Sequence, residues 1–389
     1  MKLLIAPDSY KNALSARQVA AALAAGWRQT SPTAEIIELP LADGGEGTLD
    51  AAGRIPGATR LELPATGPDG QKRDAAVLLL PDGVTALVEL ASCAGLELLT
   101  AERRNPLHTT TFGVGEQIAS LLDRGYRKIM IGLGGSATVD GGVGLAQALG
   151  FRFYDRQNWL LPQPATGSML GAIHRVDPSR RHPALENAEL LIAGDVTAPL
   201  CGPEGAARLY GPQKGADNAA VEQLEKALHS YAALLVRQGL ADRADAPGDG
   251  AAGGVGFTLR TLCRARSASG AELMLQLTDF DRYAAATDLV ITGEGCSDRQ
   301  TGHGKLPSVV AAHAAKFGKP TLLISGALKE PFNHTPAPFA GAFSISTGAE
   351  PLENALSNTA VNLTRLAASL AALTLIPANR SLPPDASAD

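Results

Sequence analysis

Short apolar runs alternate along the chain with clusters of glycine, acidic and small polar residues, and six runs stop abruptly at such a cluster. They are 2–6 before Pro7-Asp8-Ser9-Tyr10-Lys11, 35–39 before the 42–48 loop, 128–133 before Gly134-Gly135-Ser136-Ala137-Thr138, 189–193 before Gly194-Asp195-Val196-Thr197, 288–291 before Thr292-Gly293-Glu294-Gly295, and 321–325 before Gly326. Runs of this length, rich in Leu and Ile and bounded by glycine, predict buried strands of a mostly parallel sheet. In open α/β sheets ligands bind beyond the carboxyl ends of such strands, where loop amides and helix N-termini point outward. The chemistry is therefore expected at those ends.

Between the runs, Ser15 with Gln18 three residues on predicts a capping box opening an alanine-rich helix that continues to Trp27. The character changes at 61–63, 75–80 and 86–90, short strands separated by Gly67-Pro68-Asp69-Gly70 and Pro81-Asp82-Gly83, the punctuation of antiparallel hairpins. Helices are expected over 110–124, 143–149, 218–239 and 255–264, with a strand at 151–154. The last third returns to strand and helix alternation: 289–292, 307–317, 321–325, 342–345 and a long helix over 352–373. The pattern thus reads as α/β, with a discontinuous first domain (1–60 plus 282–376), a second inserted into it (61–281), and a loose Pro-rich tail (377–389).

At 389 residues the chain exceeds what one core usually supports. Its net charge of −5 gives no electrostatic footprint for nucleic acid or anionic membrane, and aromatics at 4% offer few base-stacking platforms. The apolar run at 3–6 is too short for a signal peptide, and no stretch approaches the roughly 20 apolar residues of a bilayer span, so a cytoplasmic protein acting on small molecules is expected. Homo-oligomerisation stays open. The four cysteines lack metal-ligand or framework spacing.

Gly134-Gly135-Ser136-Ala137-Thr138, followed by Asp140-Gly141-Gly142, is the foremost phosphate-loop candidate, since glycines let backbone N–H groups approach an anion and the hydroxyls add donors. The same segment satisfies a loose dinucleotide fingerprint, Gly132-x-Gly134-x-x-Ala137, with Asp155 as a ribose partner. That fingerprint needs a helix opening inside the motif, where Asp140-Gly141-Gly142 would break one, so a dinucleotide site ranks second. Gly304-Lys305 is no P-loop, having Arg299 and Leu306 where glycine and a hydroxyl residue are required. Asp8, Asp43, Asp195, Glu294 and Asp298 each follow an apolar run, a placement suited to Mg²⁺ coordination or to taking a hydroxyl proton. Asp195, in a tight turn of small residues, is the expected general base. Lys11, Lys214 and Lys305, with Arg208, are the candidate cations for phosphate or carboxylate oxygens. His108 and His303 receive no role.

Taken in order, A-P-D-S-Y-K at 6–11, A-D-G-G-E-G-T at 42–48, G-G-S-A-T-V-D-G-G at 134–142, D-V-T-A-P-L at 195–200, G-P-Q-K-G-A at 211–216, G-A-A-G-G at 250–254 and I-T-G-E-G-C-S-D-R-Q-T-G-H-G-K at 291–305 resemble the bacterial glycerate kinase type 1 family over nearly the whole chain. The resemblance implies a flavodoxin-like parallel-sheet domain interrupted by an inserted α/β domain, an active site in the cleft between them, and ATP- and Mg²⁺-dependent phosphorylation of D-glycerate to 2-phosphoglycerate in glyoxylate or sugar-acid catabolism. It implies a catalytic set of Asp195, Lys11, Asp8 and Lys305, and a nucleotide set of Gly134, Gly135, Ser136, Ala137, Thr138, Asp140, Gly141 and Lys214. Glycerate would meet Asp43, Ser9 and Gln300, and Glu294 or Asp298 would hold the metal. The chain departs from the family pattern at Val139, Ala198 and Cys296, where similar proteins generally carry Asn, Asn and Arg. The rival readings are an NAD-dependent oxidoreductase and a non-enzymatic protein that clamps sugar acids.

Overall fold

The computed structural model describes residues 1–375 apart from 244, 300, 302–303 and 330–337. It divides into two compact units, one built from 1–41 together with 279 onward and the other from 42–278. Strands are numbered here along the whole chain.

The first unit holds β1 (Lys2–Ile5), β2 (Glu35–Glu38), β11 (Leu289–Ser297), β12 (Thr321–Leu328) and β13 (Gly341–Ser344), all parallel in the order β13-β12-β11-β1-β2. Counted within the unit this is the flavodoxin-like winding, and its direction reverses between β1 and β11. Alternation along the strands sends Leu3, Ile5, Leu289, Ile291 and Ile324 to one face, against Val19, Leu23 and Trp27 of helix Ala16–Thr30 and Leu363 and Ala367 of helix Thr359–Thr374. Leu323 faces the other way, onto Ala311 of helix Leu306–Lys316. The first helix starts where the sequence places it: Ser15 Oγ accepts from Gln18 N, and the Gln18 side chain accepts from Ser15 N at 2.9 Å.

β11 and β12 run further than their apolar runs. Pairing continues through Glu294↔Ser325, Cys296↔Ala327 and Ser297↔Leu328, so the motif expected as a loop is sheet up to Ser297. Gly293 makes this possible, because a Cβ there would collide with the Ile324 carbonyl. The expected long helix over 352–373 is two helices, Leu352–Ser357 and Thr359–Thr374, parted at Asn358.

The second unit contains β3 (Thr59–Thr66), β4 (Lys72–Leu79), β5 (Thr85–Glu89), β6 (Lys128–Gly132), β9 (Glu189–Ala193) and β10 (Arg266–Ala268), ordered β10-β9-β6-β5-β4-β3. β5, β6, β9 and β10 are parallel, and β3 and β4 extend the sheet as an antiparallel meander. β7 (Arg152–Tyr154) and β8 (Arg175–Asp177) form a separate hairpin. One face of the large sheet buries the main core, which includes Val114, Ile118, Ile131, Leu228, Tyr231 and Phe257. The other face packs Leu78, Leu87, Met130 and Leu191 against Leu49, Ala52 and Met274. Residues 42–60, expected with the first domain, therefore belong to the second unit: helix Thr48–Ala52 buries its apolar side on that unit's sheet. β10 and helix Gly270–Leu277 were not expected from the sequence.

Trp27 is fully buried and its Nε1 has no hydrogen-bond partner among the described residues. Trp27→Ala should cost the first unit about 3–5 kcal/mol, read as a lower denaturant midpoint of its unfolding transition. Trp27→Phe keeps most ring contacts and removes an unpaired donor, and should lose less than half as much. Equal losses would show that the ring volume does not matter.

Candidate active site at two sheet edges

In the first unit the chain leaves β1 through Pro7-Asp8-Ser9-Tyr10-Lys11 and crosses the end of β11, with Asp8 N donating to Gly293 O at 2.8 Å. This is the switch point of the winding, where such sheets bind ligands. Asp8 turns the loop by accepting from Ser9 N at 2.6 Å, Tyr10 is buried with its hydroxyl donating to Ile324 O, and Lys11 stays exposed. Burial, with Glu294 adding, pushes the Tyr10 phenol far above its usual range, so it is a structural donor and not an acid.

Glu294 is 8% exposed, inside the paired part of β11. Its Oε1 accepts from Thr301 Oγ1 at 2.6 Å and Ser297 Oγ at 2.9 Å, and Ser297 Oγ also meets Ser325 Oγ at 2.7 Å. Lys305 Nζ stands 3.7 Å from Glu294 and 3.6 Å from Asp298. The structure thus joins Glu294, Asp298 and Lys305 in one cluster. The hydroxyls of Ser297, Thr301 and Ser325, which sequence reasoning did not single out, fix the buried carboxylate. Burial raises the pKa of Glu294, Asp298 adds to this, and Thr301, Lys305 and Ser297 oppose it. Gln300, expected at glycerate, and His303 lie outside the described residues.

Among the described residues no group of three or more His, Cys, Asp or Glu side chains is disposed to hold a metal ion. Mg²⁺ ordinarily takes one or two carboxylates and completes its shell with water and substrate phosphates. Glu294 and Asp298 fit an ion brought by phosphates and not a cage built by the protein, and Lys305 is the cation that stands beside both.

In the second unit four turns meet at the carboxyl ends of the parallel strands. The 42–48 loop lies backbone to backbone on its neighbours: a Cβ on Gly44 would strike the Ala193 carbonyl ending β9, and one on Gly270 would strike the Asp43 carbonyl. Asp43 accepts from Gly45 N at 3.0 Å, and buried Glu89, ending β5, accepts from Gly47 N and Leu49 N. Asp195, one residue past Gly194, receives hydrogen bonds from the Ser269 hydroxyl and the Ala271 amide. Partial burial raises its pKa, the like charge of Asp43 raises it further, and those hydrogen bonds pull it back. Ser269 and Ala271 were missed because β10, which delivers them, has only three residues.

The glycine-rich segment after β6 divides in two. Gly134 is half-buried, Gly135 is exposed and Ser136 is 7% exposed. From Ala137 to Gly142 the chain is internal: Ala137 N donates to Ala94 O, Gly141 N to Gly253 O and Gly142 N to Asp140 Oδ1. Asp140, fully buried, also accepts from Thr111 N at 2.8 Å and Thr111 Oγ1 at 2.7 Å, and burial raises its pKa against those bonds. Lys214 is 3% exposed, with Nζ donating to Ser136 Oγ at 2.6 Å and Thr138 O at 2.8 Å. Burial pushes its pKa down to about 7, against the pull of Asp140. Of the expected nucleotide set, only Gly134 and Gly135 therefore remain accessible, with Ser136 buried next to them. Ala137, Thr138, Asp140, Gly141 and Lys214 support them from inside.

The rival dinucleotide site has no helix where it needs one, since the helix following the glycines starts at Val143. Asp155 is committed to its own hairpin turn, accepting from Gln157 N and Trp159 N. No helix among the described residues is long and apolar enough to cross a membrane.

A doubly wound α/β protein with acids, lysines and glycine turns gathered at strand ends is of the class that binds small molecules there. The Glycerate kinase family profile matches residues 3–375. Over 373 residues the chain is 40% identical to the glycerate 2-kinase of Escherichia coli (strain K12) and 39% identical to the glycerate kinase of Bacillus subtilis (strain 168), covering 96% of this chain and 97% of each relative. A crystal structure provisionally named glycerate kinase 2, from Salmonella typhimurium LT2, superposes with a TM-score of 0.81 at 41% identity, over 96% of this chain and 98% of that one. The chain belongs to the glycerate kinase family.

A carboxyl whose folded pKa lies above its unfolded value gives stability that is full below the ordinary glutamate range and is lost as pH rises through the folded value. Glu294→Gln removes that loss. The variant's melting temperature relative to the parent should therefore increase between about pH 4 and about pH 8. A relative decrease over the same range would mean that the carboxylate is stabilised as an anion.

Proposed function

We propose that the protein is an ATP-dependent glycerate kinase that transfers the γ-phosphoryl group to D-glycerate, at the 2-hydroxyl, with Mg²⁺ carried on the nucleotide phosphates. Membership of the family supports the reaction class. The observation that carries the chemical reading is the place of Asp195 just past the end of β9, where partial burial first and the like charge of Asp43 after it raise its pKa. A base works best when its pKa approaches the operating pH, and a raised aspartate moves that way.

In this reading Asp195 takes the proton of the attacking hydroxyl, and Asp43 beside it orients the glycerate. Gly134, Gly135 and Ser136 hold nucleotide phosphates with amide and hydroxyl donors. Lys11 and Lys305 neutralise charge on the transferred group or the glycerate carboxylate, and Asp8 shapes the loop that carries Lys11. When bound, Mg²⁺ spreads charge over the phosphate oxygens, and Glu294 and Asp298 are the residues that would hold it. The protein's contribution is mostly positioning and charge neutralisation, as is general for phosphoryl transfer.

Purified protein with ATP, Mg²⁺ and D-glycerate, coupled through enolase, should give signal without phosphoglycerate mutase. Signal only with the mutase would move the transfer to the 3-hydroxyl, and no ADP in either case would defeat the kinase reading. Asp195→Asn should lower kcat by about 100-fold or more and change nucleotide affinity little. Unchanged turnover would remove Asp195 from the base role. Asp43→Asn removes the like charge, so the acid limb of the kcat/KM profile should move to lower pH. A limb that stays in place would separate the two carboxylates.

A further inference from the structure

Lys214 has an ammonium group buried at the floor of the glycine-rich turn, and the polarity of its contacts has a chemical consequence. An ammonium has three N–H donors and no lone pair, so toward Ser136 Oγ and Thr138 O it can only donate. While Lys214 is protonated, Ser136 Oγ is therefore held as an acceptor on its inner side. No acceptor for its own proton is found among the described residues, and the turn it belongs to reaches the surface at Gly135. Asp140, buried beneath the same segment, supplies the opposite charge while its oxygens are taken by Thr111 and Gly142.

We infer that Lys214 is a positioning residue that never touches the nucleotide: by forcing Ser136 to accept from within, it aims the Ser136 hydroxyl proton outward as a donor to a phosphate oxygen. This rests on the nucleotide reading above for the identity of the anion. The role differs from that of a lysine binding phosphate as a point charge, because its effect passes entirely through one hydroxyl. Removing either residue should then cost the same thing once.

The test is a double-mutant cycle of Lys214→Met and Ser136→Ala, read in two ways: ATP KM against kcat, and the affinity for inorganic tripolyphosphate by calorimetry, which needs no turnover. Each single variant should weaken both by about tenfold, the loss of one hydrogen bond to a charged group, with kcat falling far less than KM rises. The double variant should be no weaker than the weaker single one. Multiplying effects, or a Lys214→Met variant that melts earlier yet binds tripolyphosphate normally, would overturn the inference. Should Lys214→Met fail to fold because Asp140 loses its counter-charge, Ser136→Ala alone decides: unchanged tripolyphosphate affinity would mean that the outward proton does nothing. The kinase reading is judged separately, by turnover of the parent protein, and can fail while the tripolyphosphate cycle still reads the coupling.

Discussion

Backbone lying directly on backbone is the constraint on which the second unit's sheet edge depends. Residues 43 and 44 are pressed between the end of β9 at Ala193 and the start of the helix at Gly270, with no room for a side-chain carbon on either glycine. That contact brings the Asp43 carboxylate to Asp195, so a packing requirement becomes an electrostatic one. For Asp195, already partly buried, that neighbouring charge makes ionisation harder still. In the first unit Gly293 has the corresponding task, letting β11 and β12 stay paired until Glu294 and Ser297 have been carried beyond the apolar run.

The charged groups fall into two kinds once their surroundings are known. Lys11, Lys305, Asp195 and Asp298 are exposed or partly so and can meet a ligand. Lys214, Asp140, Glu89 and Glu294 are buried, and their hydrogen-bond partners are mainly loop amides and hydroxyls. Burying such groups is costly, and each here is offset by hydrogen bonds that tie one loop to another. The buried set thus fixes the turns on which the exposed set stands.

Much of this was legible in the residues. The six apolar runs all became strands, the Ser15 capping box opens its helix, and the motif series pointed to the family that the comparisons establish. Asp8, Asp195 and Asp298 do follow strand ends, whereas Glu294 lies within the paired part of β11. What sequence could not supply was depth. Gly134-Gly135-Ser136-Ala137-Thr138 and Asp140-Gly141-Gly142 look like one continuous cradle, yet only Gly134 and Gly135 are accessible, because Ser136, Ala137 and Val139 are buried and Asp140 binds Thr111 from a distant segment. Lys214 looks like any lysine between glycines, and nothing local reveals that it is buried. The strand β10 was too short to show periodicity, and Ser269 was lost with it. The assignment of residues 42–60 failed for a related reason: helix Thr48–Ala52 has five residues, and its packing partners lie far off in the chain.

The split composition of the first unit also bears on how the chain comes to be folded. β1 sits inside its sheet, and its partner on one side is β11, with Leu3 opposite Leu289. On a ribosome the opening strand and helix emerge early, while the strand that must lie beside them is made only after all of the second unit. That unit is continuous in sequence and has its own core, so it can collapse as a body while the earlier segment waits with one flank of β1 unmatched. The last-made third of the chain is thus what completes the first-made piece, and a nascent chain halted before β11 would carry a bare parallel edge, the kind of surface that recruits strands from other molecules.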